Sequence, residues 1–341
     1  MVNLTRAHHE LFRRAPDEQF TSLDDLWQHC HDERRFSTEK WQLPQRLEPR
    51  ADGDTILLSV ADGEPCRLND WSFSQLCRMS GVSKDTIGRL SSDTAGLALR
   101  EVLPRAAKPV QLLAAGQTVR SLHGVAYTRL WNADLMDVVR NYAGDFQPPQ
   151  IGVNGATGLY CGEQDLFAFL IDPAGWTEIE GEAFAPGFFV WNSEVGRRSL
   201  GIQTFWFQAV CQNHIVWDAT EVVEFSRKHT ASVQDGLNEI ARRIAALTVK
   251  RDARRDGFVR AIRSTMTATL GTDADEAAKA LLAHGIPRGL AKEALDIAQI
   301  QGRFTVFAIV DALTKLTQKM PFAGDRVELD QKAASLLALA V

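Results

Sequence analysis

The chain has 341 residues and a formal net charge of −5, with 45% hydrophobic and 24% charged residues. These values are typical of a folded globular protein, so they exclude extensive disorder and a uniformly basic nucleic-acid-binding protein, but not local basic patches. No apolar run approaches the roughly 18 residues that a membrane-spanning helix needs. The start of the chain is polar and its five cysteines lack paired spacing. We therefore expect a cytoplasmic protein with reduced thiols and no membrane partner.

The N-terminal segment is polar, and most of it favours helices. Within residues 1–50, Ser22 is placed to cap a helix whose first turn carries Asp24 and Asp25, where carboxylates stabilise the positive end of the helix dipole. Residues 56–60, between two Asp-Gly turns, predict a short strand.

A helical stretch is predicted next, over residues 71–104, with a break at Gly81. Its segment 73–90 resembles a helix-turn-helix unit. The exposed face of the second helix offers few groups that could read base edges or bind phosphates. An ordinary helical hairpin packed on a sheet is therefore the favoured interpretation.

The middle of the chain changes to strands. From residue 110 to 224, short apolar runs alternate with Gly, Asn, Asp and Pro, which predicts a mostly antiparallel sheet. One amphipathic helix over 133–142, with Asn132 as its N-cap, interrupts the strands. From about residue 226 the apolar spacing becomes helical, so the whole chain predicts an α+β fold. Its three parts are a polar N-terminal segment 1–64, an α+β core domain 65–225 and a helical C-terminal region 226–341.

The segment 190–217 inserts polar groups into one of the most hydrophobic parts of the chain. We expect two core strands joined at a polar corner and packed by Phe205 and Phe207. Glu194 is the candidate catalytic residue, and it either pairs with Arg197 or Arg198 or contacts a ligand. The polar motif of this segment comprises Asn192, Ser193, Glu194, Gly196, Cys211 and Asn213.

Signatures of known catalysis are absent from the sequence. It contains no Gly-x-Ser-x-Gly elbow, no P-loop and no dinucleotide-binding glycine motif, so no cofactor is predicted. The run His29-Cys30-His31 lacks the repeated ligand pairs of a zinc site. We therefore predict no metal site and favour a solvated polar face for this run.

Basic residues are concentrated in two places. Residues 227–263 carry ten Lys or Arg against four acids, a net charge of +6, which leaves −11 for the remaining chain. A helix with these cations could follow a phosphate backbone, or it could be a solvated face or pair with a neighbouring protomer. The candidate phosphate contacts in this helical region are Lys250, Arg251, Arg254 and Arg255.

The second basic cluster lies in the strand region, where cations are interleaved with aromatic residues. Such a pattern suits single-stranded nucleic acid, because bases stack on rings while cations follow the backbone. The alternative is that the rings belong to the core. The candidate contacts are Arg120, Arg129, Arg197 and Arg198, with Tyr127 and Trp191 as stacking residues.

Three segments of the sequence carry a family resemblance. The main one is NSEVGRRSLGIQTFWFQAVCQNHIV at 192–216, supported by VRSLHGVAYTRLWNADLMDVV at 119–139 and FTVFAIVDALTKLTQ at 304–318. Together they resemble a family of phage and plasmid proteins called the domain of unknown function 932 group. The sequence departs from the family at His214, where Gly is usual. The resemblance implies work on nucleic acid or interference with a host, and it implies no particular reaction.

These observations predict a mobile-element protein that binds nucleic acid without catalysing a reaction. We expect it to prefer single-stranded DNA, to act in recombination or annealing, and to form a homo-oligomer. One alternative is an enzyme with a pocket around Glu194, Asn192, Asn213 and His214. Another is a scaffold or host-interaction protein whose basic helix pairs with an acidic partner.

Overall fold

The computed structural model describes most of the chain. The described residues are 19–61, 63–103, 108–149, 157–179, 182–208, 224–300, 304–317, 320, 328–329, 332–333 and 335–340. They form two mostly antiparallel sheets with helices before, between and after them, which confirms the prediction of an α+β fold.

Six strands between residues 37 and 124 form the first sheet. They are β1 (Ser37–Gln42), β2 (Leu47–Asp52), β3 (Thr55–Val60), β4 (Cys66–Leu68), β5 (Val110–Ala115) and β6 (Thr118–Gly124). Their order is β1-β5-β6-β4-β3-β2, and only the β4–β6 pair is parallel. A parallel pair needs a crossover connection. Three helices supply it and cover one face of the sheet: α2 (Asp70–Met79), α3 (Lys84–Gly88) and α4 (Ser92–Val102).

The second sheet follows in the chain. Its strands are β7 (Leu159–Cys161), β8 (Leu166–Ile171), β9 (Thr177–Ile179), β10 (Glu182–Asn192), β11 (Leu200–Gln208) and β12 (Glu224–Arg227). All pairings are antiparallel, in the order β12-β11-β10-β8-β7, with β9 beside β10. Because side chains alternate along a strand, the sheet has two apolar faces. One packs on α1 (Leu23–Phe36), α5 (Asn132–Tyr142) and α6 (Asp235–Val249), and the other holds an aromatic cluster.

The C-terminal helices build a third core. They are α7 (Arg251–Thr267), α8 (Ala274–Ala283), α9 (Arg288–Ile300) and α10 (Val306–Thr317), and a short 3₁₀ turn, Leu336–Ala340, packs with them. This core joins the second sheet through Trp206, whose indole stacks on Phe258 of α7 with ring centroids 3.9 Å apart. Within the described residues, no helix combines the length and the apolar character that crossing a bilayer requires.

Some of the predicted helices and strands agree with the structure and others do not. Ser22 caps α1 by accepting a hydrogen bond from the Asp25 amide, as predicted. The expected helical bias of residues 1–50 is wrong for β1 and β2, which are strands. The end of the expected N-terminal segment, residue 64, lies between β3 and β4, which pair within one sheet. The helical region expected from about residue 226 begins with two helices that meet at Lys250.

Candidate functional site

A cleft of about 920 Å³ lies between the two sheets. The first sheet and its helix α2 contribute one wall, which includes Trp71, Arg78 and His123. The turn after β10 and the segment after β12 contribute the other wall, which includes Arg197 and Lys228. The cleft therefore lies at the polar corner that the sequence singles out, and both halves of the chain build it.

Side chains of the first wall hold the backbone of the corner. The carbonyl oxygen of Val195 accepts hydrogen bonds from the Trp71 indole N–H at 2.7 Å and from His123 Nε2 at 2.8 Å. The carbonyl oxygen of Glu194 accepts one from the Tyr127 hydroxyl at 2.7 Å and another from Arg129. These bonds satisfy buried backbone acceptors that would otherwise be costly, and they fix the corner relative to the first sheet.

Gly196 makes the corner possible. Its φ is +71°, a left-handed conformation that glycine adopts without steric cost. A Cβ at this position would lie 2.6 Å from His123 Cε1 and 2.8 Å from Tyr127 Cε2. The glycine therefore allows the backbone to turn against the two rings of the opposite wall.

Beneath the cleft lies a buried ion-pair network centred on Glu194. Its carboxylate is 3.2 Å from Arg120, whose guanidinium also pairs with Glu33 at 2.8 Å. Burial raises the pKa of Glu194, and the charge of Arg120 opposes that rise. The other carboxylate oxygen accepts a hydrogen bond from the Asn132 amide at 2.7 Å. Because this amide opens α5, Glu194 takes the capping role predicted for the Asn132 side chain, which accepts a hydrogen bond from Asn192 instead.

Four cations surround the mouth of the cleft, and we call them the rim cations: Arg78, Lys108, Arg197 and Lys228. All four side chains are exposed. Among the described residues, none of the four has a carboxylate within ion-pairing distance, and no Asp or Glu lines the cleft. Two of the rim cations, Arg78 and Arg197, lie over the Trp71 ring at 5.7 Å from its centroid.

Three stacked rings form the floor of the cleft. Tyr127 lies between His123, at 3.6 Å between centroids, and His229, at 5.4 Å. Burial, reinforced by the charge of Arg129, lowers the pKa of His123 to about 3 and that of His229 to about 4. Burial also raises the pKa of Tyr127. All three rings are therefore uncharged near neutral pH.

The structure separates the two pairs of sheet arginines predicted to contact phosphate. Arg197 is exposed at the rim, and Arg198 lines the cleft while pairing with Asp165 and Glu328. Arg120 and Arg129 are buried below the floor, and each already has a carboxylate partner. Their guanidinium groups stabilise the joint between the sheets and do not reach the mouth of the cleft.

Of the two predicted stacking residues, Trp191 belongs to the core. It is buried beside Phe189, and its indole covers Gly201 in the neighbouring strand. Tyr127 lies in the cleft floor, where its ring stacks on His123 and on His229. The alternative that these rings are core therefore describes Trp191 correctly.

The basic helical region does not present its four candidate cations as one surface. Arg254 is buried, Arg251 pairs with Asp172, and Arg255 pairs with two aspartates of its own helix. Lys250 is exposed where α6 meets α7. The positive charge counted along this segment is thus partly neutralised by nearby carboxylates.

The remaining motif residues divide into buried and undescribed ones. Asn192, Ser193 and Glu194 are fully or almost fully buried, and they support the corner from behind. Cys211, Asn213 and His214 lie outside the described residues. Of the pocket expected for an enzyme, the described members Asn192 and Glu194 do not line the cleft. Among the described residues, no group of three or more His, Cys, Asp or Glu could hold a metal ion.

Sequence reasoning missed much of the cleft, including Trp71, Arg78, Lys108, His123 and His229. Lys228 belongs to the basic segment 227–263 but is not among its four candidate phosphate contacts. These positions are scattered along the sequence and share no motif. One available signal was Trp71, an aromatic residue in the first turn of a helix that also carries Arg78.

Comparison with protein-family models, with curated proteins and with solved structures found no match. The resemblance to the phage and plasmid family therefore stays a prediction based on the motifs alone.

Proposed function

We propose that this protein binds single-stranded nucleic acid in the cleft between its two sheets. The observation that carries the proposal is the charge distribution of the cleft. Four exposed cations without ion-pair partners among the described residues surround it, and no described carboxylate lines it. Such a site attracts a ligand with several negative charges, although the net charge of the chain is −5.

Aromatic groups between the cations favour nucleic acid over other polyanions. Proteins that bind single strands combine a positive groove with rings or guanidinium planes on which bases stack. Trp71, with Arg78 and Arg197 over its ring, provides such a combination at the mouth. The cavity volume of about 920 Å³ lies within the range of roughly 300–1,000 Å³ that ligand pockets span. The cleft is therefore large enough for a short stretch of single strand.

The proposal is tested by fluorescence anisotropy with a labelled oligothymidylate of about 20 nucleotides, long enough to fill a single-strand site. We expect binding at about 50 mM salt that weakens steeply as salt rises, since bound phosphates release counterions. In a variant with all four rim cations changed to alanine, the slope of log affinity against log salt should fall by about 0.7 for each phosphate that the protein no longer neutralises.

A matched control removes four exposed cations of the C-terminal helices: Arg260, Lys279, Arg288 and Lys292. This control variant has the same net charge as the rim variant, so any difference between them reports the location of the charges. An equal decrease of affinity in both variants would show non-specific attraction, and absence of binding by the wild type at about 50 mM salt would overturn the proposal.

Assembly and biological setting are part of the same proposal. A homo-oligomer acting in the cytoplasm on the nucleic acid of a phage or plasmid agrees with the sequence motifs. Sedimentation velocity of the purified protein, with and without the oligonucleotide, tests the assembly. A monomer under both conditions would remove oligomerisation from the proposal and leave nucleic-acid binding in place.

A further inference from the structure

The cleft has a charged mouth and an uncharged floor. The rim cations are all exposed, whereas the more buried lining residues are uncharged apart from Arg198, which pairs with Asp165 and Glu328. The uncharged ones include Gln75, Val110, Leu122 and the His123–Tyr127–His229 stack. A phosphate that entered the floor would lose its hydration without a free cation to replace it, which is costly. The planar, neutral surface of a base suits this floor, because it can be buried against rings at little cost.

Arg129, which lies over the Tyr127 ring of the floor, is already engaged. Arg129 donates hydrogen bonds to Glu39, to the Glu194 carbonyl oxygen and to Gln111. Its side chain is almost fully buried. It is therefore held in place by protein acceptors, and a phosphate at the floor would have to compete with a carboxylate for it.

We propose that the strand binds with its bases turned into the cleft and its phosphates on the rim cations. This inference rests on the proposed function and adds the orientation of the ligand to it. It also defines the ligand class more narrowly. Strands that carry bases bind well, whereas polyanions without bases contact only the rim.

The test compares two ligands of equal length and charge: the labelled oligothymidylate and a phosphodiester chain of abasic tetrahydrofuran units. Stacking of one base on a protein ring contributes enough that we expect at least about tenfold tighter binding of the oligothymidylate. The four-alanine rim variant should weaken the binding of both ligands. Equal affinity of the wild type for the two ligands overturns the orientation but leaves the proposed function standing, whereas no binding of either ligand overturns both.

A second measurement locates the bases without a variant that could misfold. An oligothymidylate carrying 5-iodouracil is bound to the wild-type protein, irradiated, and the cross-linked peptide is identified by mass spectrometry. We expect cross-links at the cleft aromatics Trp71, His123 or Tyr127. Cross-links only to residues outside the cleft contradict the inference, and they would do so even if the abasic ligand binds weakly.

Discussion

At the scale of single residues, Gly196 has two separate reasons to be glycine. Its backbone is left-handed, and its missing Cβ leaves room for His123 and Tyr127. Gly196→Ala should therefore lower the free energy of unfolding by about 2–4 kcal/mol, since strain and overpacking add. Denaturant unfolding measures this change.

Gly116 is the matched control for that prediction. It also has a positive φ, +55°, but a Cβ there would meet nothing within 4 Å. Gly116→Ala should cost only about 1 kcal/mol, the penalty for the left-handed backbone alone. Equal losses for the two variants would mean that the contact with the two rings does not constrain the corner.

Glu194 has a structural role in the joint between the two sheets. Its two carboxylate oxygens contact Arg120 and the first amide of α5. Removing one member of a buried ion pair leaves a charge without compensation. Glu33 still faces Arg120, so Glu194→Ala loses mainly the hydrogen bond to the Asn132 amide and the packing of a buried side chain. It should lower the free energy of unfolding by about 2–4 kcal/mol.

The control for Glu194 is an exposed pair on the first sheet, Glu48 with Arg50, whose side chains are about half exposed. Glu48→Ala should change the unfolding free energy by less than about 1 kcal/mol, as exposed pairs contribute little. The same denaturant titration measures both variants. A loss at Glu194 no larger than that at Glu48 would show that the buried network does not stabilise the joint between the sheets.

At the scale of elements, the basic helices α6 and α7 illustrate why charge counts mislead. Glu239 pairs with Arg242 and Arg243 one turn away, and Arg255 pairs with aspartates of its own helix. Most of these pairs are three or four residues apart, a spacing that neutralises a helix face locally. Alanine at Arg242, Arg243 and Arg255 together should therefore change oligonucleotide affinity by less than about twofold at moderate salt.

That prediction separates the helices from the cleft as binding surfaces. The readout is the same anisotropy titration that is used for the rim variant. If affinity fell as far in the helix variant as in the rim variant, the helices would be the main phosphate-binding surface and the cleft would not.

Sequence patterns predicted many of the individual strands and helices, but they did not predict how these pair and pack. Short apolar runs bounded by turn residues located β3, β10 and β11, and apolar spacing located the C-terminal helices. The strands β1 and β2 were missed because their residues are mostly exposed and polar, so neither contains an apolar run. Their pairing with later strands is a tertiary effect, and local propensity does not encode it.

Prediction of the candidate site was limited in the same way, because its two walls come from distant parts of the chain. Asn192 to Arg198 form a contiguous motif, so the corner was recognisable. The opposite wall comes from residues 71 to 127, and which arginine faces solvent depends on how the two sheets pack. Arg120 and Arg197 look alike in sequence, yet one is buried under the floor and the other is exposed at the rim.

At the scale of the whole molecule, the two sheets meet across a layer of buried polar groups. His123 and His229 belong to this layer, and each stacks on Tyr127. Hydrogen bonds and ion pairs fix the geometry of this layer. The cores of the two sheets and of the C-terminal helices are stabilised by apolar packing instead. Acidic pH, which protonates the histidines of this layer, should therefore weaken the contact between the two sheets before it affects the apolar cores.

The pH dependence of stability tests this view of the joint. The folded pKa of His229, about 4, lies below the ordinary value of 6.5, so between these values the unfolded chain binds a proton that the folded chain does not. The stability from the neutral ring is full above about pH 6.5 and is lost as the pH falls toward 4. The loss approaches about 1.4 kcal/mol per pH unit for one histidine.

Comparison with His229→Gln isolates this contribution. Glu194 changes stability with pH in the opposite direction: burial raises its pKa, so its protonation in acid stabilises the folded state. The pH dependence of the wild type alone therefore does not report the contribution of His229. Denaturant unfolding from pH 7.5 to about 4.5 should give parallel curves above about pH 7. Below that, the wild type should lose stability faster, with the gap growing by about 1 kcal/mol per pH unit. Parallel curves over the whole range would mean that His229 is protonated equally in both states, and that the floor of the cleft is less dry than its burial indicates.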